Sequence, residues 1–313
     1  MGKLRILVCL LALGTPVLAD EYFYDNGVYV GLGVNANRIS RQKTIDFGSN
    51  VTSIGSKSFR TKISDWAYSP SLGIGYKFDE NNLVSARGDW ADYSKRQARN
   101  STTTSFAFVP VDGRSGFGLS APAASSIKTE WESNAVNLEF EYKRKLWSDP
   151  LGGVMGLAGL KYRNEGQQFT AIHGPNLPVS LDEKLRENLY GPYLGLIVAF
   201  KPLEEASLAI SFNSRFGYFF KSAQLLARDV FGTVHRVNDH SDNGTFFTTL
   251  GLDLTYAITR NWSVSSIYDF NFINKSAHIF NNTAFGTGFR IPTRIEDSSV
   301  YTHNLGLRIN YRF

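Results

Sequence analysis

Cysteine is almost absent: the 313 residues hold one, Cys9. A single sulfur excludes a disulfide framework and thiolate metal sites, and its place near the start removes it from the folded part argued below. Proline is scarce, ten residues in all, with no Pro/Ser-rich linker and no shift of composition, so the chain reads as one unit. No block of like charge occurs. Lys and Arg number 33 against 28 Asp and Glu, a net charge of +5, and without a basic patch this excess excludes nucleic acid as the partner. After residue 19 no apolar run approaches the roughly 18 residues of a spanning helix.

The first residues carry a targeting pattern. Lys3 and Arg5, an apolar stretch from Ile6 to Leu13 and the small-residue site Val17-Leu18-Ala19 follow the order of a secretory signal. Residues 1–19 are expected to be removed near Ala19, leaving 20–313 as one exported domain without cysteine.

That domain is rich in aromatics, 14% of the chain, and they alternate with polar residues. In 28–36, Val28, Val30, Leu32, Val34 and Ala36 share one face and Tyr29, Gly31, Gly33 and Asn35 the other. Nine further segments repeat the pattern, at about 65–78, 83–93, 132–142, 153–165, 189–200, 206–220, 245–258, 262–274 and 300–313. A helical period would scatter these faces around the axis; period two sorts them. Segments of this length are what a strand needs to cross a bilayer apolar side out. The connections at 79–82, 143–150, 201–205 and 259–262 are short and rich in turn formers, whereas about 39–61, 98–126, 166–187, 223–243 and 276–296 are long and polar.

Ten antiparallel strands with short turns at one end and long loops at the other predict an all-β, up-and-down transmembrane barrel with extracellular loops and periplasmic turns, in the cell outer membrane. A two-sheet sandwich would also alternate, but without long loops on one side only. Apolar-face aromatics fall in two belts: Tyr76, Phe78, Tyr142, Phe200, Tyr256, Trp262, Tyr311 and Phe313 at the turn end, and Trp66, Tyr68, Trp90, Tyr190, Tyr218 and Tyr301 at the loop end. Leu305, Leu307, Ile309, Tyr311 and Phe313 complete an alternating terminal strand that resembles the signal read by the barrel assembly machinery. Outer-membrane lipid and that machinery are the expected partners; small solutes or surface ligands are not specified.

The segments Asp65-Trp66, Ser71-Leu72-Gly73-Ile74-Gly75-Tyr76-Lys77-Phe78, Asn137-Leu138-Glu139-Phe140-Glu141 and Gly156-Leu157-Ala158-Gly159-Leu160-Lys161-Tyr162-Arg163 are similar in order and spacing to the Legionella-type major outer membrane protein family. The resemblance implies a pore-forming barrel.

Alternation places Arg87, Asp89, Glu139, Glu141, Lys161, Arg163, Arg215, Asp253, Asp269, Arg308 and Arg312 on the inner face as the expected lumen lining. Their balanced signs fit either a structural charge network that fills the lumen or a narrow diffusion pore, since ten strands lie nearer the filled eight-stranded size than the open sixteen. A surface or adhesive barrel with functional loops is the alternative. Asp89-Trp90-Ala91-Asp92 and Asp239-His240 faintly resemble the acidic pair and Asp-x-His of the omptin proteases, which are also ten-stranded barrels. Here Asn238 stands where the Asp belongs, and Arg87 where the partner acid would be. No enzyme is expected. Gly31-Leu32-Gly33 opens no helix, and the five histidines lack ligand spacing, so no cofactor or metal is expected either.

Overall fold

The computed structural model describes residues 27–41, 45–47, 59–61, 64–101, 106–108, 120–121, 126–173, 180–202, 207–228, 234–239, 244–280, 283–284 and 294–313. The proposed signal, Met1 to Ala19, lies outside them. Ten long strands carry the fold: β1 Gly27–Arg41, β2 Ser64–Lys77, β3 Asn82–Ser101, β4 Ser126–Asp149, β5 Gly152–His173, β6 Ser180–Phe200, β7 Leu208–Arg228, β8 Thr245–Ala257, β9 Trp262–Phe280 and β10 Arg294–Arg312. Each pairs antiparallel with its sequence neighbours, and β1 pairs β10 through thirteen positions from Tyr29↔Arg312 to Arg41↔Val300. The sheet is therefore closed, an up-and-down barrel without a free edge running its length.

Orientation of the faces makes it a transmembrane barrel of the outer-membrane type. Leu32, Leu72, Ile74, Phe140, Leu160, Leu194, Phe216, Leu250 and Leu307 all point outward and are exposed, Leu194 to 68%. A continuous exposed apolar wall of this size has no place in water; around a closed barrel it is the lipid-facing band. The aromatic belts border it. At the turn end Trp262 packs on Tyr311 with ring centroids 4.6 Å apart and Tyr311 on Phe313 at 4.7 Å.

Three short turns share one device. Asp79 Oδ1 accepts from the Asn81 and Asn82 amides at 2.7 and 2.8 Å, Asp149 Oδ1 from Leu151 and Gly152 at 2.8 Å each, and Thr259 Oγ1 from Asn261 and Trp262 at 3.2 and 3.1 Å. In each a side-chain oxygen caps the tight reversal. These hydrogen bonds, the Asn82 side-chain amide foremost, hold the Asp79 carboxyl below its ordinary pKa.

Most of the strands are longer than the alternation predicts, chiefly toward the loop end; β4 also runs on at its turn end to Asp149, so the turn expected over 143–150 is strand up to that residue. The connection expected over 166–187 is strand up to His173 and again from Ser180. Beyond the loop-end belt the alternation changes phase. On β6, outward positions run Phe200, Val198, Leu196, Leu194, Pro192 and Tyr190, then Asn188, Arg186, Lys184 and Asp182, while inward Leu189 and Leu185 are buried. Below Tyr190 the outside meets lipid; above it the outside meets water and the inside becomes a core.

Candidate functional site

Four layers fill the lumen, named here from the turn end upward. The first is a vestibule of about 220 Å³ with Asn261 and Arg312 at its rim. It exists because inward positions on β1 and β2 are Gly31, Gly73 and Gly75; a Cβ at Gly73 would meet nothing nearer than 3.9 Å. Arg308, Arg312 and Asp253 also line it.

A charged ring follows. Lys161 bridges to Glu139 at 2.6 Å, Arg87 to Asp269 at 3.6 Å, and Glu141 receives Arg215 Nε at 2.7 Å and Lys143 at 2.9 Å. The Tyr193 hydroxyl donates to Glu141 at 2.9 Å. Arg163 bonds to Glu165 at 2.9 Å and to Asn137 at 3.2 Å, and Asn137 donates to Asp89 at 2.9 Å. All eleven charged residues singled out by alternation line the vestibule or a smaller cavity of about 40 Å³ above the ring. Period two suffices to place them, because an inward charge in a closed barrel has no other destination.

The third layer was not expected from sequence. Ile39, Ala67, Ala91, Tyr93, Ala135, Leu157, Leu189, Tyr193, Phe219, Phe247, Ile273 and Val300 form one buried apolar cluster to which every strand contributes. Phe219 stacks on Phe247 with centroids 4.1 Å apart, Tyr193 meets Phe247 edge-on at 5.9 Å, and Lys161 Nζ lies 5.4 Å from the Phe247 ring. Phe219, Phe247 and Tyr193 meet in the interior, and with the cluster's other members, Leu157 on the turn side of Lys161 among them, they form what is here called a septum. The sequence signal was there: large apolar side chains on the inner phase toward the loop ends, opposite to the membrane-facing phase.

The fourth layer is polar. β9 slips register between Ile273 and Ser276, and beyond the slip it reaches across the lumen. Glu187 accepts from Ser276 Oγ and the Ala277 amide, both at 2.6 Å, and Gln167 donates to the Ala277 carbonyl at 2.9 Å. β9 is not a neighbour of β5 or β6 in the sheet, so these bonds span the interior above the septum. Lys221 pairs with Asp297 nearby.

Of the residues compared with the omptin site, the described ones are held apart. Asp89 is taken up by Asn137 and, at 3.5 Å, by Ser69 Oγ. Asp92 points outward and is exposed. Asn238 and Asp239 extend a hairpin paired with β7 at Gln224 and Ala223, and His240 lies outside the described residues.

No protein-family profile matches the chain, and no curated protein does. Among solved structures it is similar to the outer membrane protease OmpT of Escherichia coli, with 10% identity, 92% of this chain and 97% of that one covered, and a TM-score of 0.47. It is also similar to the translocator domain of the autotransporter NalP of Neisseria meningitidis, at 9% identity, 100% and 94% coverage and a TM-score of 0.46. The toluene transporter TbuX of Ralstonia pickettii follows at 10% identity, 97% and 93% coverage and a TM-score of 0.39.

Proposed function

We propose that the protein is an outer-membrane surface barrel whose lumen is closed to axial flow, with its working surface on the strands that rise beyond the bilayer. The observation that carries this is the septum: one buried apolar contact network fed by all ten strands. A charge network alone lets water percolate between side chains, whereas a buried apolar layer is a barrier to ions. The reading takes the closed-lumen alternative over the diffusion pore that the Legionella-type resemblance implies, and it includes no catalytic step. Within it, residues 1–19 direct export, and Leu305, Leu307, Ile309, Tyr311 and Phe313 are the strand presented to the assembly machinery.

Planar-bilayer recording of the refolded protein tests it. The parent chain is expected to be silent after insertion is proven by protease protection, and Phe219→Ala/Phe247→Ala is expected to give ion-conducting steps. Stable steps from the parent chain would overturn the closed-lumen reading.

A further inference from the structure

Charge is scarce on the lipid-facing surface. Outward positions on β1 read Val28, Val30, Leu32, Val34 and Ala36, and then Arg38, which is exposed. Ten residues separate Arg38 from Val28, whose carbonyl accepts from the Phe313 amide at the turn end. At about 3.3 Å per residue and a tilt of about 35–45°, that is a climb of roughly 25 Å, the height of the apolar band. Arg38 therefore stands at the upper edge of the band, at the headgroups of the outer leaflet. Its register partners are His303 on β10 and Trp66 on β2, each ten residues above a turn-end aromatic, Phe313 and Tyr76. An arginine is costly at the centre of the band and cheap at its edge, so height alone permits Arg38; its neighbours say what it is for.

Arg38 and His303 lean apart. The Arg38 guanidinium lies over the Trp66 ring, with Cζ 5.9 Å from its centroid. His303 turns the other way, toward β9: its Nδ1 is 2.9 Å from the Tyr268 hydroxyl and its ring 5.2 Å from that of Phe270. Stacking on the indole fixes the guanidinium plane and leaves its edge for the paired hydrogen bonds that arginine makes to phosphate. Where the Tyr268 hydroxyl donates to Nδ1, the His303 proton lies on Nε2, a second donor. One outward step below Arg38 is Ala36, set between Tyr68 on β2 and Leu305 on β10. Those two stand 79% and 56% exposed, so the small side chain makes a dip in the wall. Below it Val34 lies between Pro70 and Leu307, and the dip continues down into the apolar band.

We propose that this face of the wall seats one phosphate-bearing lipid of the outer leaflet, its phosphate on Arg38 with His303 alongside and an acyl chain running down over Ala36 between Tyr68 and Leu305. A cation clamped on an aromatic ring, directly above an apolar dip, matches a ligand that is anionic at one end and hydrocarbon at the other. A soluble anion would use the arginine alone and leave the dip without a role. An arginine that merely anchored the barrel at the interface would need neither the dip nor the indole clamp. The seat lies on the outside of the barrel, so it is independent of whether the lumen conducts ions.

Native mass spectrometry of the full refolded barrel, released from detergent micelles and titrated with lipid A, tests it. The parent chain is expected to retain one lipid A per barrel and to hold dephosphorylated lipid A more weakly. Arg38→Gln is expected to weaken lipid A binding by roughly ten- to hundredfold, the worth of a charge-assisted hydrogen-bonded contact. Ala36→Phe, which keeps the guanidinium and fills the dip, is expected to weaken it as well. Arg186→Gln removes an exposed outward cation above the belt on β6 and is expected to leave binding unchanged. The heat-modifiable gel shift confirms that each variant is folded, and Ala36→Phe and Arg38→Gln are independent tests should either one not fold. Lipid A binding that is unchanged in Arg38→Gln or in Ala36→Phe overturns the proposal, as does an equal loss in Arg186→Gln, which would make the attraction one of overall charge. Displacement of lipid A by inorganic phosphate would make this a site for a free anion and overturn it too.

Discussion

Single side chains in the lumen are held by partners more than by their own solvation. Glu141 accepts from Arg215, Lys143 and Tyr193 at 2.7, 2.9 and 2.9 Å, so removing Arg215 leaves a buried carboxylate partly uncompensated. Breaking one side of such a pair costs roughly 3–5 kcal/mol, while replacing both with apolar groups costs far less. Arg215→Met is therefore expected to destabilise the barrel by about that amount, and adding Glu141→Leu to recover much of it, as read by urea unfolding in lipid vesicles. Strict additivity of the two substitutions would show the pair is not coupled. The turn residue Asp79 offers a pH test. Its carboxyl sits below its ordinary pKa through the Asn82 side chain and the Asn81 and Asn82 amides, so its contribution is present while it is ionised. The stability difference between the parent chain and Asp79→Ala is expected to be constant above about pH 5 and to vanish as the pH falls through the depressed value. A difference that grew in acid would contradict the hydrogen-bond assignment.

At the scale of strands, the phase of alternation marks the membrane. Leu194 lies within the apolar outward run of β6 and Arg186 four outward positions further toward the loops, past Tyr190. A new arginine at Leu194 is expected to cost roughly 2–4 kcal/mol of folding stability in vesicles, as at a bilayer midplane, and one at Asn188 about 0–1. Equal costs at both positions would move the lipid edge. The same phase change explains what was legible in the sequence. Ten strands, their order and their inward charges followed from period two, since Val28 to Ala36 or Tyr190 to Phe200 sort into faces without help. The loopward extensions were missed because above the belt the polar residues face out: Asp182, Lys184 and Arg186 read as loop until Leu185 and Leu189 are seen pointing inward. The bridge made by Ser276 and Ala277 was not legible at all, because it depends on a register slip and on Glu187 from the far wall.

For the molecule as a whole, the consequence of the layering is a barrel divided in two. Below the septum lies a vestibule lined by five basic side chains, Arg87, Lys143, Arg215, Arg308 and Arg312, and four acidic ones, Glu139, Glu141, Asp253 and Asp269. Above it, carboxylates and amides are tied across the interior. If the septum is the only barrier, opening it should hand control of ion flow to the vestibule, the next constriction along the axis. In Phe219→Ala/Phe247→Ala the near balance of sign predicts weak ion selectivity, with a reversal potential close to zero in a salt gradient. Filling the vestibule should then narrow the path. Gly73 is the place to do it, because a side chain there enters space in which no atom comes nearer than 3.9 Å to its Cβ and no backbone must shift. Gly73→Leu in the opened background is expected to reduce single-channel conductance while leaving the heat-modifiable gel shift of the folded barrel intact. The same substitution at Gly191, whose Cβ would run into the Tyr218 carbonyl, should instead disrupt folding. Conductance insensitive to Gly73→Leu would mean that ions leave the barrel by another way than the turn end.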